Sequence, residues 1–167
     1  MSAPADSDID PLALDRQVCF ALAITHRAVL AVYRPLLEPL GLTHPQYLVM
    51  LALWDRHTSH PAPRSPLSVK EIATTLQLDS ATLSPMLKRL QALGLITRTR
   101  SSADERATDV ELTGAGIALR ESALAVPAAV VARLGVGLAQ LEELHRALTS
   151  INVAALAAGS SHDETDR

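Results

Sequence analysis

The run Ser68–Leu112, SVKEIATTLQLDSATLSPMLKRLQALGLITRTRSSADERATDVEL, decides the fold. Ser68 and Glu71 stand three apart ahead of an apolar run, the pattern of a capping box in which each side chain satisfies a free amide of the other. They predict a short helix through Leu76 with the apolar face Val69, Ile72, Ala73 and Leu76. Gln77-Leu78-Asp79 forms a tight turn, after which Ser80 or Asp79 caps a helix from Ala81 to Leu93. Leu83, Leu87 and Leu90 make its buried stripe, and Gly94 ends it, since a left-handed cap costs glycine nothing. Leu95–Arg100 then reads as a strand and Ser101–Arg106 as a polar turn. Thr108, Val110 and Leu112 alternate with Asp109 and Glu111 in a returning strand. Two short helices joined by three residues and followed by a hairpin are a winged helix-turn-helix.

Helical periodicity resumes on both sides. From about Leu12 to Leu37 it runs through Leu14, Val18, Leu22, Val29, Val32 and Leu36, with Pro35 expected to bend or end the helix and Gly41 to close the segment. Thr43-x-x-Gln46, with Pro45 in the first turn, opens a second helix to about Trp54. Three prolines between Ser59 and Pro66 predict a loop. Thr113-Gly114 starts a helix to about Val126, interrupted by Pro127; Gly135 and Gly137 mark another break, and a final helix covers roughly Leu138 to Leu156. The expected fold class is mainly α with a small β-hairpin wing. The segments are a disordered lead (1–11), N-terminal helices (12–55), the winged lobe (56–113), C-terminal helices (114–158) and a flexible tail (159–167).

Composition bounds the function. Of 167 residues, 48% are hydrophobic but only 2% aromatic, so the core is aliphatic, which favours helices over a β-sandwich. Cys19 is the single cysteine, which excludes an internal disulfide and suits a reducing compartment. The polar start lacks the features of a signal peptide, and no uninterrupted apolar run of membrane-spanning length stands out, so the expectation is a soluble cytoplasmic protein with no membrane partner. His57-x-x-His60 alone is too small a ligand set for a metal, and neither metal nor cofactor is expected.

The net charge is −3, which disfavours a nonspecific nucleic-acid coat. Between Ser80 and Thr108, however, five cations (Lys88, Arg89, Arg98, Arg100, Arg106) face only two anions (Asp104, Glu105). A local positive surface on such a fold is the footprint of DNA binding. The second helix shows Ser80, Thr82, Ser84, Pro85, Lys88 and Arg89 away from its buried stripe, where small polar residues approach bases and phosphates. Arg98 and Arg100 extend the charge along the wing, and Arg106 at the tip suits the minor groove, with Asp104 orienting its guanidinium. If these charges were merely solvated, the lobe would be a protein-interaction module.

The run Leu78–Gly116, with Asp104-Glu105-Arg106 in the wing, resembles the MarR family of bacterial regulators. The resemblance implies a homodimer joined through its N- and C-terminal helices. Each recognition helix would read one half-site of a pseudo-palindromic double-stranded operator. Within that family, Leu14–Asp55, LDRQVCFALAITHRAVLAVYRPLLEPLGLTHPQYLVMLALWD, resembles the one-cysteine OhrR branch, regulators of organic hydroperoxide resistance. That implies redox sensing by Cys19, with its thiolate held by tyrosine hydroxyls of the partner subunit. Tyr33 matches one such position; His44 stands where the branch usually has the other tyrosine. An imidazole N–H can donate in place of the missing hydroxyl, and an imidazolium would lower the thiol pKa.

The chemistry also stands without the resemblance. A thiolate attacks peroxide and becomes a sulfenic acid, which, without a second cysteine, pairs with a low-molecular-weight thiol, pairs with another molecule or over-oxidises. The resemblance implies that the signal is an organic hydroperoxide and that the consequence is release of the operator by a repressor. Two alternatives remain at this stage: a MarR-type repressor released by a small phenolic or aromatic ligand, with Cys19 incidental, and a thiol peroxidase, an enzyme reading that the missing resolving cysteine disfavours.

Overall fold

The computed structural model describes residues 10–59, 66–102, 104 and 106–163. The chain divides into two compact units between Val126 and Pro127.

In the first unit, α1 (Val18–Leu37) and α2 (His44–Ser59) precede β1 (Leu67–Ser68), α3 (Val69–Leu76), α4 (Ser80–Ala92), β2 (Ile96–Arg100), β3 (Thr108–Leu112) and α5 (Gly114–Ala123). This is the expected winged helix-turn-helix, with an addition. The sheet has three antiparallel strands in the order β1-β3-β2, and β1 pairs Leu67 with Val110 and Ser68 with Asp109. A two-residue strand carries no periodicity of its own; it exists through its pairing with β3. In the hairpin, Ile96 faces Leu112, Arg98 faces Val110 and Arg100 faces Thr108.

The core lies where α2, α3, α4 and β3 meet. Val49, Met50, Ile72, Leu83, Leu87, Leu90 and Val110 are essentially inaccessible, and Tyr47 and Trp54 are buried beside them. The three recognition-helix leucines are the ones that the helical spacing nominated.

The N-terminal helix is shorter than its periodicity suggested. Leu14–Arg16 is a 3-10 turn, and α1 starts only at Val18. Pro35 neither ends nor breaks it; α1 runs to Leu37, a 3-10 turn follows, and Gly41 closes the segment at φ 68°. Of the residues that carry the periodicity, Leu14, Val18 and Leu22 are exposed, and Val29, Val32 and Leu36 are half-buried.

The break expected at Pro127 falls at Leu124 instead. The α6 helix (Ala125–Leu134) holds Pro127 in its first turn, where the missing N–H is not needed. In the second unit the chain turns at Gly135, φ 62°, and α7 (Leu138–Asp163) begins. Leu138, Leu144, Leu148, Ile151, Val153 and Leu156 are exposed along α7.

One expectation needs correcting. By length and mean hydropathy, two helical stretches, Val18–Leu40 and Gly114–Leu134, qualify as long and apolar enough to cross a bilayer. A search for uninterrupted apolar runs misses them because His26, Arg27 and Arg34 punctuate the first and Arg120 and Glu121 the second.

Candidate nucleic-acid interface and thiol site

The reading head is built from its caps. Ser68 Oγ accepts the Glu71 N–H at 3.1 Å, while Glu71 Oε2 accepts the Ser68 N–H at 2.8 Å, completing the capping box of α3. The Ser68 backbone N–H and, after it, the Ser68 hydroxyl donating to Glu71 Oε2 at 2.8 Å hold the Glu71 carboxyl below its ordinary pKa; Arg56 of α2 adds a 3.1 Å ion pair. Gln77 adopts φ 52°, alone among the described non-glycine residues in the left-handed region, and turns the chain into α4.

Asp79, not Ser80, caps α4. Its carboxylate accepts the Thr82 N–H at 2.7 Å and the Thr82 hydroxyl at 2.9 Å, which lowers its pKa. Ser80 is the first helical residue. With Leu83, Leu87 and Leu90 turned inward, Ser80, Thr82, Pro85, Lys88 and Arg89 lie exposed and Ser84 half-buried. Thr82 already spends its hydroxyl proton on Asp79, so toward a ligand it can only accept. Pro85 sits inside α4 without interrupting it.

On the wing, Arg100 is exposed. Arg98 is half-buried, shares a strand face with buried Ile96, and has an inaccessible Nε without a hydrogen-bond partner. Asp104 accepts the Arg106 backbone N–H at 2.9 Å, so it shapes the tip through the main chain; no ion pair to the Arg106 guanidinium occurs. Glu105 and His60 lie outside the described residues.

The residues expected to sense peroxide lie in two places. Cys19 is exposed in the first turn of α1. Tyr33 follows fourteen residues later on the same helix, about 21 Å along its axis. A single chain therefore does not bring them together. Tyr33 does meet His44: their rings pack edge-on with centroids 4.9 Å apart.

His44 opens α2. Burial, and after it the charge of His26, lowers its pKa below the ordinary imidazole value of 6.5. The shift favours the neutral imidazole, the form whose N–H could donate to a thiolate, over the imidazolium. Sequence reading missed His26. The signal was its place seven residues before Tyr33, two turns along one helix face. Leu30, Arg34, Leu37, Leu42 and His44 line an adjoining cavity of about 570 Å³.

Behind His44 the aromatic contacts continue inward. Tyr33 and Tyr47 are 6.2 Å apart, and Tyr47 and Trp54 6.3 Å. Trp54 Nε1 donates to the carbonyl oxygen of Gly116 at 2.8 Å.

Comparison with known proteins fits this geometry. The family described as transcriptional regulator SarA/Rot matches residues 31–121. The organic hydroperoxide resistance transcriptional regulator of Bacillus subtilis is 41% identical over 126 residues, 75% of this chain and 80% of that one. The chain belongs to the SarA/Rot-type transcriptional regulators, among the organic hydroperoxide resistance regulators. Among solved relatives of this regulator, reduced AbfR bound to DNA is similar with a TM-score of 0.70 at 30% identity, covering 86% of this chain and 93% of that one. The repressor CouR bound to a 23-mer DNA duplex gives 0.72 at 28% identity, covering 87% and 99%. These are families of regulators, not of enzymes, which removes the thiol peroxidase reading.

Proposed function

We propose that the protein is a homodimeric repressor that binds a pseudo-palindromic operator and releases it when an organic hydroperoxide oxidises Cys19. The observation that carries this reading is the separation of Cys19 from the Tyr33–His44 pair along an α1 whose N-terminal apolar residues Val18, Leu22 and Ile24 are exposed. Two α1 helices packed antiparallel about an axis near His26, halfway between Cys19 and Tyr33, would set each thiol against Tyr33 and His44 of the partner subunit. The same pairing would cover Leu14, Val18 and Leu22, apolar surface that a monomer leaves in water. It accounts for Val18–Leu40 better than a membrane does, because Arg27 and Arg34 would each cost about 2.5–3.5 kcal/mol near the centre of a bilayer. The protein would then act in the cytoplasm, where its DNA is.

The thiolate of Cys19 attacks the terminal peroxide oxygen and the O–O bond breaks. Sulfur takes the OH to become a sulfenic acid, and the leaving alkoxide takes the proton that the thiol gave up, forming the alcohol. A low-molecular-weight thiol then condenses with the sulfenic acid, releasing water and leaving a mixed disulfide. Either product needs room among Tyr33 and His44 of the partner. Repacking there turns the recognition helices out of register with successive major grooves. On the DNA side, Lys88, Arg89, Arg98, Arg100 and Arg106 supply phosphate and groove contacts, and Ser80, Thr82, Ser84 and Pro85 give α4 a low-profile approach to the bases.

Gel shift on duplex selected from a random pool tests this. Wild type binds and is released by cumene hydroperoxide, while Cys19→Ser binds and stays bound. Release of Cys19→Ser by peroxide would overturn the reading. The cavity beside His44 favours a second one, release by a small phenolic ligand, and phenolic acids in the same assay separate the two.

A further inference from the structure

The chain has four aromatic residues of the Phe, Tyr and Trp kind, and three of them stand in one row. The row starts at His44 and Tyr33, passes through Tyr47 and ends at Trp54, three turns along α2. There the Trp54 indole N–H fastens α2 to Gly116 in the first turn of α5, across 62 positions of sequence. Gly116 lies close against the chain at Leu95: a Cβ on it would overlap the Leu95 carbonyl oxygen. Leu95 is where α4 becomes the wing. Its N–H donates to Leu90 of α4 at 3.1 Å, and its carbonyl accepts the Thr113 N–H at 3.0 Å. Thr113 Oγ1 donates to Gly94 at 2.6 Å.

We infer that Trp54 is the positioning residue that links the Tyr33–His44 site to the junction of recognition helix and wing, through Tyr47 on one side and Gly116 on the other. This rests on the redox reading above and adds the route by which oxidation reaches the reading head. The argument is mechanical. Packed interiors do not compress, so a displacement at Tyr33 and His44 is handed to the next rigid ring rather than absorbed. Apart from the solvent-exposed Arg56–Glu71 ion pair, the contacts of α2 with α3 and α4 are made by aliphatic side chains such as Met50, Leu53, Ile72 and Leu83, whose packing has no preferred direction. The Trp54–Gly116 bond is directional, and it closes on a glycine pinned against the end of α4. Movement of α2 along that bond must either drag the α4–β2 junction or break the bond.

Trp54 is also the chain's sole tryptophan, so its fluorescence reports from the proposed link alone. In the intact protein, cumene hydroperoxide should change Trp54 emission at the rate at which the Cys19 thiol is lost, and should leave Cys19→Ser unchanged. Trp54→Phe keeps a ring and removes the N–H. It should lose Cys19 at the wild-type rate, yet the ratio of reduced to oxidised operator affinity should fall by about three- to tenfold, the worth of one buried hydrogen bond. A merely structural Trp54 would weaken both states equally and leave the ratio alone, which would overturn the inference. So would operator release by wild type with unchanged Trp54 emission, a result that needs no variant to fold. If wild type ignores peroxide altogether, the redox reading falls and takes this role with it; failure of the link alone shows as normal release through an unaltered Trp54.

Discussion

Gly116→Ala is the sharpest test of how the reading head is anchored. The new methyl would fall on the Leu95 carbonyl oxygen, which is backbone and cannot rotate away, with the Leu112 side chain also close. The first turn of α5 must therefore back off from the α4–β2 junction. Overpacking of this kind costs about 1–3 kcal/mol. The shift also strains the 2.8 Å Trp54 bond and the 3.0 Å Thr113-to-Leu95 bond, worth about 1 kcal/mol each. Against this, alanine gains at most about 1 kcal/mol over glycine in a helix. The net expectation is a loss of roughly 2–4 kcal/mol. In a chain of this length that lowers the melting temperature by roughly 2–4 °C per kcal/mol. Urea unfolding followed by Trp54 emission, at matched protein concentration because the proposed dimerisation would add to apparent stability, gives the number. A Gly116→Ala midpoint at or above wild type would refute the close packing of α5 on Leu95.

Other outcomes follow from the same geometry. Ser68→Ala removes both side-chain contacts that Ser68 Oγ makes with Glu71 and should cost about 1 kcal/mol in urea unfolding. The pKa of His44 is lowered in the fold, so the unfolded chain takes up that proton at higher pH than the native one does. Its stabilising contribution is complete above the unfolded value of about 6.5 and is lost as pH falls through the lower native value. His44→Phe should flatten this part of the pH–stability profile, measured as urea midpoints across that range; an unchanged slope would contradict the assignment. Lys88→Ala or Arg89→Ala should weaken operator binding and reduce the slope of log affinity against log salt by about 1, measured by fluorescence anisotropy. Asp79→Ala should destabilise by about 1 kcal/mol through loss of the α4 cap, whereas Ser80→Ala should leave stability nearly untouched.

Much of the fold was legible in single residues. The Ser68–Glu71 box, Gly94 after α4, the Leu83–Leu87–Leu90 stripe and the alternation from Thr108 to Leu112 depend on neighbours within one or two turns, and all are present as read. Strand β1 was not, because two residues become a strand only when β3 lies beside them. Nor could the break at Leu124 be read from Pro127, which fits inside the first turn of the helix that follows. At the sensor, Cys19, Tyr33 and His44 could be named from the chain, but not that the last two touch while the first lies four helical turns away.

By itself the sequence determined the helix-turn-helix, its wing, its cationic face and a single thiol, since caps, periodicity and charge are properties of short stretches. Only the tertiary structure decided that Asp79 is the cap of α4, that burial and His26 lower the pKa of His44, and that Trp54 ties α2 to Gly116. Those facts depend on which residues distant in the chain are packed together, and a local pattern carries no record of that.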